Sequence, residues 1–150
     1  MKVGVGLVVL VALVMLVGWE PAWWAAGVRP MLPGKLKALQ GVGRGVRILD
    51  VRTAREYEWL HIAGAESHPD LLWRPEALSA ESRDTHLVFI CLSGHRAPVA
   101  AFRMKRLGFE KVSYLSWGML AWIVGGGRTE TGKGEPMFKR ELPDSRRSDA

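Results

Sequence analysis

The sequence predicts an α/β domain in which helices cover both faces of a parallel sheet, preceded by one apolar helix at the N-terminus. Three observations support this prediction. Short apolar runs typical of strands alternate with helical segments between residues 44 and 127, a pattern that favours parallel pairing and burial of both sheet faces. The chain has 150 residues, enough for one domain and short appendages. Residues 1–28 are strongly apolar and differ in composition from the rest.

The N-terminal segment predicts a membrane anchor. Residues 3–19 contain no charged side chain, close to the lower limit of roughly 17–25 residues for a spanning helix. Three tryptophans are typical of the aromatic belt at a membrane surface: Trp19, Trp23 and Trp24. The alternative is a cleaved signal peptide, but a cut after Ala26 puts Trp24 where a small residue is needed. We therefore expect an uncleaved, single-pass transmembrane helix over residues 1–28. We expect the domain on the cytoplasmic side, and the alternative is the periplasmic side.

The remaining chain divides into three segments by composition. Glycine and proline are frequent in residues 29–43, which we predict to be a linker around one short helix. Residues 44–127 carry the alternating apolar runs and form the predicted domain. Residues 128–150 are polar and rich in both charge signs, and they predict a disordered tail.

The predicted domain contains three strands and three helices. The strands are short apolar runs: 46–51, 86–90 and 111–115. The first helix begins after Thr53, whose spacing from Glu56 is that of a capping box. The second opens with Pro98, which a first helical turn tolerates, and Gly108 ends it. The third covers residues 118–124.

Composition excludes several classes of function. The formal charge is +6, but the excess is spread along the chain. No series of aromatic side chains alternates with arginine or lysine as nucleic-acid-binding sheets require, so we expect no nucleic-acid partner. The single cysteine, Cys91, excludes an intramolecular disulfide and a zinc site of several cysteines. Cys91 is therefore either a lone functional thiol or a small buried apolar residue.

The segment from Cys91 to Arg96 has the features of a catalytic loop. It lies between a predicted strand and the next helix, the position at which α/β sheets bind ligands. If the loop curls around the sulfur, its backbone N–H groups and the helix N-terminus stabilise a thiolate, the nucleophilic form of cysteine. Gly94 permits a turn that a Cβ hinders, and Arg96 offers a fork of donors to an oxyanion.

Five segments, in the same order, resemble the signatures of the rhodanese-like domain. They extend over about residues 44–127 and are Asp50-Val51-Arg52, Glu56-Tyr57, His61-Ile62 with Gly64-Ala65, the loop from Cys91 to Arg96, and Gly118 with Ala121-Trp122. The resemblance implies a rhodanese-like parallel sheet flanked by helices. It also implies a sulfurtransferase, which takes sulfur from a donor and passes it to a nucleophilic acceptor.

The resemblance also assigns roles to individual residues. Cys91 is implied to be the catalytic residue, which carries sulfur as a persulfide. The loop residues implied to bind the donor are Leu92, Ser93, Gly94, His95 and Arg96. The donor is a small molecule such as thiosulfate, and the acceptor is cyanide, an external thiol or a cysteine of another protein. We expect neither a metal nor an organic cofactor.

Two other functions remain as alternatives. Related phosphatases carry one residue more between the cysteine and the arginine, so the four residues here favour sulfur transfer over a phosphatase or an arsenate reductase. The other alternative is a catalytically silent module that recruits a partner at the membrane, and the presence of both Cys91 and Arg96 argues against it. Asp50 and Arg52 are expected either to support the site or to form an ion pair that ties turns together.

Three positions depart from the residues usual in the family: Leu60, Ala97 and Trp117. Leu60 and Trp117 stand where the family usually has glycine, and Ala97 stands where a hydroxyl residue commonly follows the loop. We expect altered packing at the first two positions and weaker substrate binding at the third.

Overall fold

The computed structural model describes residues 2–42, 45–78 and 83–133. Within these ranges the α-helices are α1 Lys2–Ala25, α2 Pro33–Gly41, α3 Ala54–Trp59, α4 Ala97–Arg106 and α5 Gly118–Val124. The strands are β1 Arg29–Met31, β2 Val46–Asp50, β3 His61–Ile62, β4 Glu66–Ser67, β5 His86–Ile90, β6 Val112–Leu115 and β7 Thr129–Glu130. Two turns of 3-10 helix lie between β4 and β5: Pro69–Leu72 and Pro75–Leu78.

Five of the strands form one sheet in the order β1-β6-β5-β2-β4. Every neighbouring pair in it is parallel. The central strand β5 and its neighbour β2 pair along their whole length, from Val46 opposite His86 to Asp50 opposite Ile90. The predicted parallel sheet is therefore confirmed.

Helices cover both faces of this sheet. Successive side chains of a strand point to opposite faces. Accordingly, Leu87 and Phe89 of β5 pack in the cluster that contains the inner side of α4. Val88 and Ile90 pack in a second cluster that contains Trp122 of α5. These four side chains, Leu87 to Ile90, are fully buried. Burial on both faces explains why this part of β5 is an unbroken apolar run.

The helix α3 begins as the sequence predicts. The N–H of Glu56 donates to the Thr53 hydroxyl at 3.3 Å, and the N–H of Thr53 donates to the Glu56 carboxylate at 2.9 Å. The predicted capping box is therefore confirmed. It satisfies two N–H groups that a helix end otherwise leaves without partners.

Four short strands are not among the predicted ones: β1, β3, β4 and β7. β1 lies in the predicted linker and pairs with β6 at the edge of the main sheet. β7 lies at the start of the predicted tail and pairs with His61 and Ile62 of β3. Runs of two or three residues are too short for a hydropathy period to reveal them. Residues 43–44 and 134–150, which include most of the predicted tail, lie outside the described residues.

The predicted membrane anchor is wrong. Among the described residues, no helix combines the length and the apolar character needed to cross a membrane. Two tryptophans assigned to a membrane surface instead contact the domain. The ring centroids of Trp19 and His95 lie 5.0 Å apart, and those of Trp23 and Phe102 lie 6.0 Å apart. The predicted single-pass membrane location is therefore wrong as well.

Candidate active site

Cys91 lies at the carboxyl edge of the main sheet, directly after its central strand β5. The neighbouring strand β2 ends in register with β5, Asp50 opposite Ile90. From β2 the chain continues to β4 on one side, whereas β5 and β6 lie on the other side. A reversal of this kind opens a crevice at the carboxyl ends of the strands, where α/β sheets bind ligands. The fold therefore places Cys91 in that crevice.

The loop from Cys91 to Arg96 curls around the thiol. The N–H of Gly94 donates to Cys91 Sγ at 3.1 Å, and Cys91 is 1% exposed and free of any disulfide. Four more backbone N–H groups of the loop have no acceptor in the part of the chain that the structure describes: those of Leu92, Ser93, His95 and Arg96. A buried sulfur beside several such donors is an arrangement suited to a bound anion.

Two glycines allow the loop to close this tightly. Gly94 has a φ of +86°, and a Cβ there would lie 2.9 Å from the backbone nitrogen of Trp117. Gly118 has a φ of +54°, and a Cβ there would lie 2.2 Å from the carbonyl oxygen of Cys91. Trp117 also has a positive φ, +58°, which no other non-glycine residue in the described ranges shows. Position 117, where the family usually has glycine, thus has a backbone conformation typical of glycine, although its residue is tryptophan.

The N-terminus of α5 holds the first two peptides of the loop. The N–H of Met119 donates to the carbonyl of Cys91 at 2.9 Å, and the N–H of Leu120 donates to that of Leu92 at 3.1 Å. In a trans peptide the C=O and the N–H point in opposite directions. Because these carbonyls face α5, the N–H groups of Leu92 and Ser93 face away from it.

Arg96 is held by Glu56, which the sequence did not assign to the site. Arg96 Nη2 lies 2.9 Å from Glu56 Oε1, and Nη1 lies 3.3 Å from Oε2. The hydrogen bond from Arg96 lowers the pKa of Glu56 to about 2, and the hydrogen bond to Glu56 raises the pKa of Arg96. The spacing of Glu56 from Thr53 is fully explained by the helix cap. No sequence signal links Glu56 to a residue 40 positions later.

Asp50 and Arg52 form a buried ion pair at the end of β2. Arg52 Nη2 lies 2.7 Å from Asp50 Oδ2, and Arg52 Nε lies 3.0 Å from both carboxylate oxygens. Arg52 Nη2 also donates to the carbonyl of Leu60 at 2.7 Å. These contacts are those of a pair that ties the end of β2 to the turn after α3. Whether the two residues also support the site remains a prediction.

Ser93 and His95 lie at the mouth of the loop beside aromatic side chains. Ser93 Oγ lies 3.0 Å from His95 Nδ1. Trp19 Nε1 donates to the carbonyl of Gly94 at 3.4 Å. A small cleft beside the loop is lined by Trp19, Glu20, Ser93, Gly94, His95 and Trp117. The sequence assigned Trp19 to a membrane surface, so its position at the loop was missed.

The fold and the loop define a class of protein: an α/β domain with a lone cysteine inside a loop of backbone N–H donors at the carboxyl edge of its sheet. The chain matches the family model of the rhodanese-like domain over residues 32–124. Because this match covers more than half of the chain, the chain belongs to the rhodanese-like family.

Similar proteins and structures agree with this assignment. MoeZ of Mycobacterium tuberculosis, named as an adenylyltransferase/sulfurtransferase, is 31% identical over 104 residues, which are 69% of this chain and 26% of MoeZ. YrkF of Bacillus subtilis, named as a sulfur carrier protein, is 40% identical over 86 residues, 57% of this chain and 44% of YrkF. The crystal structure of the Alr3790 protein of Anabaena has a TM-score of 0.62 at 29% identity and covers 68% of this chain and 80% of that one. The chain thus spans less than half the length of the two curated relatives.

Proposed function

We propose that the protein is a sulfurtransferase of the rhodanese type that carries sulfur on Cys91 as a persulfide. The observation that carries this proposal is the environment of Cys91 Sγ, which accepts the Gly94 N–H at 3.1 Å and lies beside loop N–H groups that have no acceptor among the described residues. Such donors stabilise negative charge on a sulfur atom and on an incoming oxyanion. The names of two relatives, a sulfurtransferase and a sulfur carrier protein, support the same chemistry.

The reaction has two half-reactions. In the first, the Cys91 thiolate attacks the outer sulfur of a donor such as thiosulfate. The S–S bond of the donor breaks, its electron pair leaves with sulfite, and a new S–S bond forms on Cys91. In the second, the acceptor attacks the outer sulfur of the persulfide and releases Cys91 as a thiolate.

The acceptor comes from outside the chain. Cys91 is the only cysteine among the 150 residues, so no second thiol of this chain can attack the persulfide. Cyanide, a small thiol or a cysteine of another protein can do so, at a rate set by its thiolate fraction and its access to the loop.

Arg96 and the loop N–H groups bind the donor anion. Although both Nη atoms of Arg96 contact Glu56, the guanidinium has five N–H donors, and the side chain is 39% exposed. Donors therefore remain for an oxyanion while Glu56 keeps the guanidinium in one orientation. Asp50 and Arg52 keep the neighbouring strand end in place.

The size of the loop favours sulfur transfer over phosphate chemistry. Four residues separate Cys91 from Arg96, and the N–H of Gly94 is already within hydrogen-bond distance of Sγ. A loop that closes so tightly on its sulfur suits one additional sulfur atom. The related phosphatases use a loop that is one residue longer.

The test compares the two reactions in the full chain. We expect the protein to convert thiosulfate and cyanide to sulfite and thiocyanate and not to hydrolyse an aryl phosphate. The variant Cys91→Ser, closest in size, should abolish transfer while circular dichroism confirms that it is folded. Hydrolysis of the aryl phosphate that disappears in Cys91→Ser would refute the proposal. A folded wild-type protein that transfers no sulfur would favour the catalytically silent alternative.

A further inference from the structure

We propose that Trp19, near the end of α1, is a positioning residue of the sulfur-binding loop, which holds the Gly94–His95 peptide with its N–H directed to the inside of the loop. The inference rests on the proposed sulfur transfer and adds a residue to it. Trp19 lies outside residues 32–124, the range that matches the rhodanese-like family. The contact is therefore an addition by this chain to the matched domain.

Trp19 contacts the loop in two ways. Its indole Nε1 donates to the carbonyl oxygen of Gly94 at 3.4 Å. Its ring lies against the imidazole of His95, with the ring centroids 5.0 Å apart. The first contact is with the peptide that joins Gly94 to His95, and the second is with the side chain of His95.

The hydrogen bond fixes the direction of that peptide. No cis peptide occurs in the described ranges, and in a trans peptide the N–H points away from the C=O. Because the Gly94 carbonyl faces Trp19 on the outside of the loop, the N–H of His95 faces the opposite side. This N–H has no acceptor in the part of the chain that the structure describes, so it is available to a bound anion.

Trp19 thereby completes a set of contacts from two elements. The N-terminus of α5 turns the first two loop peptides through the carbonyls of Cys91 and Leu92. The N–H of Gly94 points directly at the sulfur. Only the Gly94–His95 peptide depends on a contact from α1. N–H groups that bind one anion must face one centre, and Trp19 supplies this orientation for the N–H of His95.

The end of α1 is fixed well enough to serve this purpose. The Trp19 ring packs edge-on against Trp23, with centroids 5.6 Å apart, and Trp23 packs against Phe102 of α4. The N–H of Val28, fully buried, donates to the carbonyl of Trp23 at 2.9 Å. The chain then enters β1, which pairs with β6. Trp19 is thus held by the helix that follows the loop and by the edge of the sheet.

The role predicts an unequal effect on the two half-reactions. The His95 N–H helps to bind the donor dianion while Cys91 is loaded. Discharge by cyanide brings no dianion into the loop. In the full chain, Trp19→Phe, which keeps a ring against His95 but removes the indole N–H, should slow loading by thiosulfate about threefold to tenfold, the effect of losing one ordinary hydrogen bond. Discharge of the preloaded persulfide should change less than twofold.

The control is Trp24→Phe, on the same helix, because Trp24 is 65% exposed and does not line the cleft. It should load and discharge as the wild type does. Equal slowing of both half-reactions in Trp19→Phe would indicate a purely structural role and overturn the proposal. Wild-type loading in Trp19→Phe would also overturn it, as would equal slowing in Trp24→Phe.

A binding measurement separates this proposal from the proposed function. Sulfate is a dianion that delivers no sulfur, and its titration can be followed through the backbone amide signal of His95 by NMR. We expect saturable shifts in the wild type and in Trp24→Phe, with threefold to tenfold weaker binding in Trp19→Phe. If sulfate binds in this Trp19-dependent way but no persulfide ever forms, the sulfurtransferase proposal is refuted, whereas the role of Trp19 in orienting the loop is supported. If the wild type and Trp19→Phe respond equally, or neither responds, the role of Trp19 is refuted.

Discussion

At the residue scale, Glu56 performs two tasks with one carboxylate. It accepts the N–H of Thr53 at the start of α3, and it binds both Nη atoms of Arg96 at the end of the loop that begins at Cys91. The helix cap therefore fixes the position from which Glu56 reaches the arginine. Because the Glu56 and Arg96 side chains are 31% and 39% exposed, water weakens their attraction, and the pair contributes more to orientation than to stability.

The Glu56–Arg96 pair predicts a change of stability in acid. The pKa of Glu56 is lowered from 4.5 to about 2 in the folded protein. A carboxyl whose pKa falls on folding stabilises the protein fully above the unfolded-state pKa, and this contribution is lost as the pH falls through the folded-state pKa. Denaturant unfolding should therefore show wild type more stable than Glu56→Gln by up to ~1 kcal/mol at neutral pH, with a difference that shrinks between pH 4.5 and about 2.

Glutamine at position 56 can still accept the N–H of Thr53 and preserve the capping box, so the variant isolates the ion pair. The control is Glu58→Gln, because Glu58 is exposed on the same helix. The free energy of unfolding of Glu58→Gln should differ from that of the wild type by less than the Glu56→Gln difference at neutral pH. A Glu56→Gln difference that stays constant from neutral pH to pH 2 would contradict the assignment of the pair.

Arg96 predicts a kinetic difference between the half-reactions. Arg96→Ala should slow thiosulfate loading by tenfold or more, because a charged hydrogen bond to the dianion is worth roughly 1.5–3 kcal/mol. Cyanide discharge of the preloaded persulfide should change much less. Rapid-mixing measurements of each half-reaction check this, with Arg106→Ala, exposed at the end of α4, as the control. Equal loss in both half-reactions would argue that Arg96 only maintains the loop.

At the element scale, the start of α5 sets the shape of the loop. Its N–H groups hold the carbonyls of Cys91 and Leu92, and Gly118 lets α5 approach them closely. The left-handed backbone of Trp117 is part of the same turn. Strained residues of this kind persist where the surrounding structure holds them, often beside functional sites.

Gly118→Ala should be strongly destabilising and should impair transfer. The new Cβ would lie 2.2 Å from the Cys91 carbonyl oxygen, so the loop or α5 must shift. To this is added the cost of about 1–2 kcal/mol for a left-handed residue with a side chain. We expect a loss above ~2 kcal/mol in denaturant unfolding. The control is Gly126→Ala, where φ is +65° but nothing lies within 4 Å, and it should cost only about 1–2 kcal/mol. Equal losses would show that contact with the loop is unimportant.

The sequence predicts best the elements whose signals are local. β5 is recognisable because both of its faces are buried and the run is continuously apolar, and α3 is recognisable because its cap is complete within four residues. β1 and β7 are not recognisable in this way. Each exists because a distant strand pairs with it, β6 with β1 and β3 with β7. A pattern of two or three residues carries no period.

At the scale of the whole molecule, the same distinction applies to the site. The loop from Cys91 to Arg96 is contiguous, so its residues can be proposed from sequence, although their roles remain predictions. Glu56 and Trp19 reach the loop only through the tertiary fold, from 40 and 75 positions away. Trp19 was also assigned to the wrong environment, because a tryptophan after an apolar run is typical of a membrane surface as well as of packing against a domain.

Intact-protein mass spectrometry shows whether Cys91 carries sulfur. After treatment of the full chain with thiosulfate, the account predicts a mass increase of one sulfur atom, removable by cyanide and absent from Cys91→Ala. The chain has one cysteine, so Cys91 is the one thiol of this chain that can carry the added sulfur. A wild-type protein that transfers sulfur from thiosulfate to cyanide, yet never shows this adduct under any excess of donor, would contradict the persulfide mechanism.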